Sequence, residues 1–346
     1  MPMKFTRRRA AQLMLCTALS GAAMPALAQE FTADDPMEVA LVLHGTLGDK
    51  SFFDSAAAGM ERAEAELPVD VTIIEAGLDR GRWEPALADA ADQGFDVIIA
   101  GTWEMNGFMQ DLAPDYPDQK FILFDDTPDF STGEFGNIIA ITYKTSTAAY
   151  LAGYAAAMIS ETGKLGEILG VEGSTVVEFA VGFEQGAMAA NPDVEVTRAV
   201  AGSFTDPAKG KELALAQFSQ GVDVVFPIAG GTGIGALQAA RDEGMWAVGV
   251  DSDQAEIFEP SDPEQAAVIF TSVEKKIGDS LFDVLEQTLD GTAAYGTTLL
   301  LGLADGAVGI SKNDYYMESV PEEVRTQVDE IEQQIINGEI TVDSVM

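Results

Sequence analysis

Residues 222–253 read VDVVFPIAGGTGIGALQAARDEGMWAVGVDSD. Two short apolar runs, 222–230 and 246–253, flank a stretch with helical spacing of apolar residues at 233–244. A continuous apolar run of this length is what a parallel strand covered on both faces requires. The same alternation extends outward in both directions. Upstream strand candidates lie at 39–44, 69–76, 96–101, 120–126, 137–143, 164–170 and 194–202. Downstream ones lie at 266–273 and 297–303. Amphipathic stretches separate them at 52–66, 82–93, 104–115, 146–161, 176–190, 206–219 and 274–290, and a charged one follows at 321–337. Regular β-then-α order predicts an α/β protein.

Eleven strands are many for one open sheet and natural for two. The predicted fold is therefore two doubly wound, Rossmann-like lobes. The strand rhythm gives way to a long Ala-rich helix near Tyr143 and Lys144, and further crossings fall near residues 272 and 294. Three crossings make the three-strand hinge of a type I periplasmic binding protein. On this partition the N-terminal lobe takes 36–143 plus 273–294, and the C-terminal lobe takes 144–272 plus 295–346.

The first 28 residues read as an export signal. Lys4, Arg7, Arg8 and Arg9 form a basic head, an apolar run covers 10–24, and Ala26-Leu27-Ala28 gives an A-x-A cleavage site. Cleavage is expected after Ala28, with the mature chain in the periplasm. Thr6-Arg7-Arg8 resembles a twin-arginine signal only loosely, so the route is open between Sec and Tat. The apolar run is too short for a membrane span. Cys16, the only cysteine, falls in the removed part, so no disulfide or thiol chemistry is expected. His44 is the only histidine, and a zinc site or a Ser/Cys–His mechanism would hang on it alone. Neither metal, cofactor nor enzymatic activity is expected.

Removing that signal takes away four basic side chains, so 15 Lys+Arg face 57 Asp+Glu and the formal charge moves from −38 to −42. A field of that sign repels nucleic acid and anionic membranes, and disfavours phosphorylated ligands.

In open α/β sheets ligands sit outside the carboxyl ends of the strands. His44, Gly45, Asp49, Phe52 and Phe53 follow the first strand, Trp103 the third, and Asp125 and Asp126 end the fourth. The second half supplies Phe183, Phe204, Gly230, Gly231, Asp251 and its neighbours, and Lys275 is expected to open the helix after AAVIFTSV. Aromatic rings can stack on a flat guest, and carboxylates can accept from its hydroxyl or N–H groups. Each residue also has a plainer reading: Phe52, Phe53 and Phe204 as core, Asp125-Asp126 as turn formers, His44 as a hydrogen-bonded structural residue. Together they suit an uncharged, hydroxylated planar solute.

Gly231, Gly233 and Ala236 stand in G-x-G-x-x-A spacing after a strand, with Asp251 20 residues beyond Gly231. That is the dinucleotide fingerprint with its ribose-binding acid. It motivates a rival reading, a secreted nicotinamide-dependent oxidoreductase. The unit comes late in an exported chain, and no hydride- or proton-transfer residue accompanies it.

Eight stretches, in order, cover nearly the whole mature chain and resemble one family. They are GDKSFFDSAAAGMERA (48–63), KFILFDD (120–126), AAYLAGYAAAM (148–158), GFEQGAMAANPDVEV (182–196), AGSFTDPAKGKELA (201–214), GVDVVFPIAGGTGIG (221–235), VGVDSDQ (248–254) and TSVEKK (271–276). The family is the basic membrane protein family, nucleoside-binding components of ABC importers. The resemblance implies a purine-nucleoside site between the lobes and an ABC permease as partner. It implies Phe204 stacking on the base, Asp251 and Lys275 with the Gly230-Gly231 backbone on the ribose, and Asp125 on the base edge. Asp49 and Phe52 match the family's D-x-x-F-N motif, but Phe53 stands where that motif has Asn. The loss of an amide there is expected to change how the base is read. A third reading, a sensor subunit presenting the same ligand to a membrane receptor, shares the site.

Overall fold

The computed structural model describes residues 31–345, so the predicted export signal and Cys16 lie outside the described residues. In chain order the strands of the first half are β1 Met37–Leu43, β2 Val69–Glu75, β3 Val97–Gly101, β4 Lys120–Phe124, β5 Ile138–Tyr143 and β6 Lys164–Leu169. The second half has β7 Glu195–Val200, β8 Val224–Ile228, β9 Trp246–Asp251, β10 Ile269–Lys275, β11 Thr297–Leu301 and β12 Val308–Ile310. The helices are α1 Phe52–Glu66, α2 Trp83–Gln93, α3 Thr102–Leu112, α4 Thr145–Ile159, α5 Ser174–Ala190 and α6 Pro207–Phe218. They continue with α7 Gly230–Glu243, α8 Gln254–Phe258, α9 Pro263–Ala266, α10 Ile277–Leu289, α11 Asp314–Ser319 and α12 Glu322–Ile336.

The strands form two six-stranded sheets, ordered β11-β5-β4-β3-β1-β2 and β12-β10-β9-β8-β6-β7. All pairings are parallel except β10 with β12. The two orders correspond strand for strand, with β1 in the place of β6, β3 of β8, β4 of β9 and β5 of β10. Central strands are buried along their whole length, which is why they read as continuous apolar runs.

The chain passes between the sheets after β5, after β10 and after β11. This corrects the sequence partition at two places. Residues 273–275 remain in the second sheet, because β10 keeps its pairing with β9 through Val273↔Val250 and Glu274↔Asp251. Residues 297–301, assigned from sequence to the C-terminal lobe, pair with β5 from Thr297↔Ile139 to Leu301↔Tyr143 and belong to the first sheet. Three-residue β12 was not foreseen, since it is too short to carry a periodic signal.

One core cluster spans the facing helices of both sheets and includes Leu41, Leu151, Phe183, Phe226 and Leu281. The outer faces carry their own clusters. Leu87, Met105, Met109 and Phe121 pack under α2 and α3, and Ala214, Leu237 and Ala240 under α6 and α7. Helices α4 and α5 touch backbone to backbone. A Cβ on Gly153 would stand 2.0 Å from the Phe183 carbonyl oxygen, one on Gly182 2.1 Å from that of Ser146, and one on Gly186 1.9 Å from that of Tyr150. Small residues are what allow such close approach.

This contact also corrects one site expectation. Phe183 lies in the middle of α5, fully buried, with its ring 5.1 Å from that of Phe226. It is a core residue and does not line the cavity below.

Candidate functional site

A cavity of about 570 Å³ opens between the carboxyl ends of the two sheets. His44, Gly45, Asp49, Phe52, Phe53, Trp103, Asp125, Phe204, Gly230, Gly231, Asp251 and Lys275 all line it, whereas Phe183, Asp126 and the neighbours of Asp251, Ser252 and Asp253, do not. Asp126, the neighbour of Asp125, instead accepts a bond from Asn106 of α3 at 2.7 Å.

At the centre stand two carboxylates and one ammonium. Asp125 follows β4 and Asp251 ends β9, corresponding positions in the two sheets, and both have φ of 63°. Among the described residues the other non-glycine positions in this region of φ are Lys50 and Thr102. Thr102 lines the cavity too, and Lys50 adjoins Asp49 there. Left-handed backbone at non-glycine residues costs about 1–2 kcal/mol each, and its concentration around one cavity marks the site.

Lys275 is the last residue of β10, not the first of a helix as the sequence suggested. Its Nζ donates to Asp125 Oδ1 at 2.8 Å and lies 3.9 Å from Asp251 Oδ1. The rings of Phe52 and Phe179 flank the ammonium at 5.1 and 5.0 Å from their centroids. Burial pushes both carboxyls upward. Asp125 rises against the opposing pull of Lys275, and Asp251 reaches about 7 because burial and the negative charges of Asp125 and Asp49 outweigh Lys275. Asp251 Oδ1 accepts no hydrogen bond from the described residues.

Asp49 works on its own backbone. Oδ1 accepts from the N–H groups of Ser51 and Asp54 at 3.0 and 3.2 Å, and Oδ2 from Phe53 at 2.9 Å. Asp54 in turn accepts from Gly48 and Lys50 at 2.7 and 2.9 Å. These bonds satisfy donors left open at the start of α1 and fix where Phe52 and Phe53 enter the cavity.

The His44 Nε2 faces Glu104 Oε2 at 3.1 Å and Thr102 Oγ1 at 3.3 Å. Its ring meets Phe53 and Trp83 edge-on, at 5.0 and 5.2 Å between centroids. Trp83, Glu104, Val176 and Phe179 line the cavity without having been nominated. Trp83 opens the helix after β2, so the strand-end rule could have found it. Phe179 lies inside α5, where nothing local in the sequence points to a cavity.

The glycine fingerprint has a packing explanation. The Thr232 N–H in the first turn of α7 donates to the Phe204 carbonyl at 2.9 Å, so the chain itself takes a donor that a pyrophosphate would need. Close approach of α6 to α7 depends on Gly235, outside the fingerprint, whose Cβ would lie 1.7 Å from the Pro207 carbonyl oxygen.

Contacts also bridge the two sides of the cleft. The Trp103 ring reaches across to α5, and a Cβ on Gly173 would be 2.9 Å from its Cη2. Gln254 Nε2 donates to the Lys50 carbonyl at 3.1 Å, and Ser252 Oγ to that of Ser51 at 3.2 Å. Leu78 and Thr205, both exposed, mark the opposite lips.

Comparison with known proteins agrees with this architecture. Residues 37–345 match the family model described as Bmp, ABC transporter substrate-binding protein PnrA-like. The chain is 31% identical over 311 residues to basic membrane protein A of Borreliella burgdorferi, covering 89% of this chain and 88% of that protein. It is 30% identical over 265 residues to the ABC transporter nucleoside-binding protein BmpA of Lactococcus lactis subsp. cremoris, covering 74% and 73%. A solute-binding protein of an ABC transporter system from Aeropyrum pernix K1 superposes with a TM-score of 0.78 at 26% identity, over 88% of this chain and 93% of that one.

Proposed function

The chain belongs to the Bmp family of PnrA-like ABC transporter substrate-binding proteins, and on that premise we propose that it captures a nucleoside in the interlobe cleft for delivery to an inner-membrane permease. It binds and releases the guest without chemistry. One observation carries this reading: Asp125 from one sheet, Asp251 and Lys275 from the other, and Phe204 meet in a single cavity at the strand ends. Phe204 offers a ring for a base, while Asp251, Lys275 and the Gly230-Gly231 backbone offer acceptors and donors for ribose hydroxyls. The three crossings between the sheets are the hinge about which the lobes close. Export to the periplasm rests on residues 1–28 and on the family's role in import.

The test is calorimetric titration of ligand-stripped mature protein with nucleosides and their free bases. Wild type is expected to bind nucleosides more tightly than bases. Asp251→Ala is expected to lose that preference while keeping its fold by circular dichroism. Equal nucleoside affinity in wild type and variant rejects the assigned role of Asp251.

A further inference from the structure

Residues 48–51, between β1 and α1, meet residues 252–258, which follow β9. Gln254 Nε2 donates to the Lys50 carbonyl at 3.1 Å, and Ser252 Oγ to the Ser51 carbonyl at 3.2 Å. Lys50 Nζ stands 5.2 Å from the centre of the Phe258 ring. None of these five residues lines the cavity. Each side of the contact is fixed from within its own half. Gln254 is 1% exposed; its Oε1 accepts from the Val250 N–H at 3.0 Å, and its own N–H donates to Ser272 Oγ at 3.1 Å. Asp253 caps the same short helix by accepting from the Glu256 N–H at 3.3 Å, and Asn313 Nδ2 donates to it at 2.9 Å. On the facing side Asp49 and Asp54 hold the backbone N–H groups of Gly48, Lys50, Ser51 and Phe53, with Lys50 in left-handed backbone at φ 53°. Among the described residues, Gln254 Nε2 donates to the Lys50 carbonyl alone. A buried amide donor without an acceptor is costly, so Gln254 favours the arrangement in which the two halves are together.

We infer that Gln254, helped by Ser252, is a positioning residue that latches the lobes and sets the affinity for every guest by one common factor, without contacting any of them. A residue that contacts the guest changes affinity according to what each guest offers it. A latch changes only the fraction of molecules whose lobes are together, and the apparent dissociation constant of every guest varies inversely with that fraction. The guests used to test the latch rest on the nucleoside reading, whereas the latch itself is built entirely from protein groups. Gln254→Glu is the sharpest perturbation, because it keeps the length of the side chain and the acceptor for the Val250 N–H while removing the donor to Lys50.

Ligand-stripped mature protein is titrated with adenosine, guanosine, inosine and uridine, and small-angle X-ray scattering measures its radius of gyration with and without them. Gln254→Glu is expected to weaken every nucleoside that wild type binds by the same factor, about ten- to a hundredfold, through faster dissociation. At saturating nucleoside its radius of gyration is expected to return to that of wild type, which a merely misfolded variant would not do. Ser252→Ala removes only the second bond and is expected to weaken all of them alike by about two- to fivefold. Ligand-free unfolding midpoints check that each variant folds, and Ser252→Ala carries the test if Gln254→Glu does not. Affinities equal to wild type, or factors that differ from one nucleoside to the next, overturn the latch and leave the nucleoside reading standing. Absence of binding by wild type overturns the nucleoside reading instead. Where fewer than two nucleosides bind, the ligand-free dimensions decide: a larger radius of gyration in the variant supports the latch, and an unchanged one overturns it.

Discussion

Replacing Lys275 with methionine tests the electrostatics of the site most directly. The substitution keeps most of the stem that packs between Phe52 and Phe179, and removes the one ammonium placed between Asp125 and Asp251. Lys275 and Asp125 are almost wholly buried, and removing one partner of a buried, hydrogen-bonded ion pair typically costs about 3–5 kcal/mol. At roughly 2 °C per kcal/mol for a chain of this size, the midpoint should fall by about 6–10 °C at pH 8. The loss must also depend on pH in a definite direction. Asp125 and Asp251 already have raised values, and without Lys275 both rise further. Protonation of Asp251, already raised to about 7, removes its charge by pH 5, and the rise at Asp125 acts in the same direction, so the gap between variant and wild type narrows as the pH falls. Thermal and urea unfolding at pH 5 and pH 8 measure both quantities. Adding Asp125→Asn to the variant should recover part of the stability at pH 8. A loss under about 1 kcal/mol at pH 8, against the cost expected for a buried pair, would refute the reasoning. So would the same loss at both pH values.

Two further outcomes follow. Ribose hydroxyls donating to Asp251 favour its ionised form, so its value falls from about 7 on binding and the affinity weakens as pH drops below 7, by up to about tenfold per unit. Nucleoside titrations at pH 8 and pH 5.5 check this, and a flat profile would remove Asp251 from the hydroxyl contacts. Gly186→Ala drives a methyl group into the Tyr150 carbonyl across α4 and α5, and should cost about 1–3 kcal/mol in urea unfolding. A neutral result would mean that the two helices can separate without penalty.

The strand rhythm of residues 222–253, repeated along the chain into eleven candidates, was enough to give two wound sheets, because buried parallel strands leave uninterrupted apolar runs. It could not allot Thr297–Leu301 to the right sheet, since an apolar run shows that a segment is a strand but not which strand it pairs with. Looking past strand ends found Asp125, Asp251 and Phe204, whose places on the cavity follow from where the strands stop. Phe183 misled because it sits one turn further along α5, where its ring packs on Phe226 in the core. Phe179, four residues earlier on the same helix, faces the cavity, and only the packing of α5 against α4 separates the two. The dinucleotide spacing supported only a rival reading, and the glycine on which the contact of α6 with α7 depends, Gly235, lies outside it.

Cys16, the sole cysteine, precedes every residue described, so a chain begun at Gln29 carries no thiol. Two cysteines placed at Leu78 and Thr205, on opposite lips of the cleft, would then be unique attachment points for a donor and an acceptor dye. Their energy transfer would follow the lobes as they part and meet, making this scaffold a reagentless optical sensor for whatever the cleft holds.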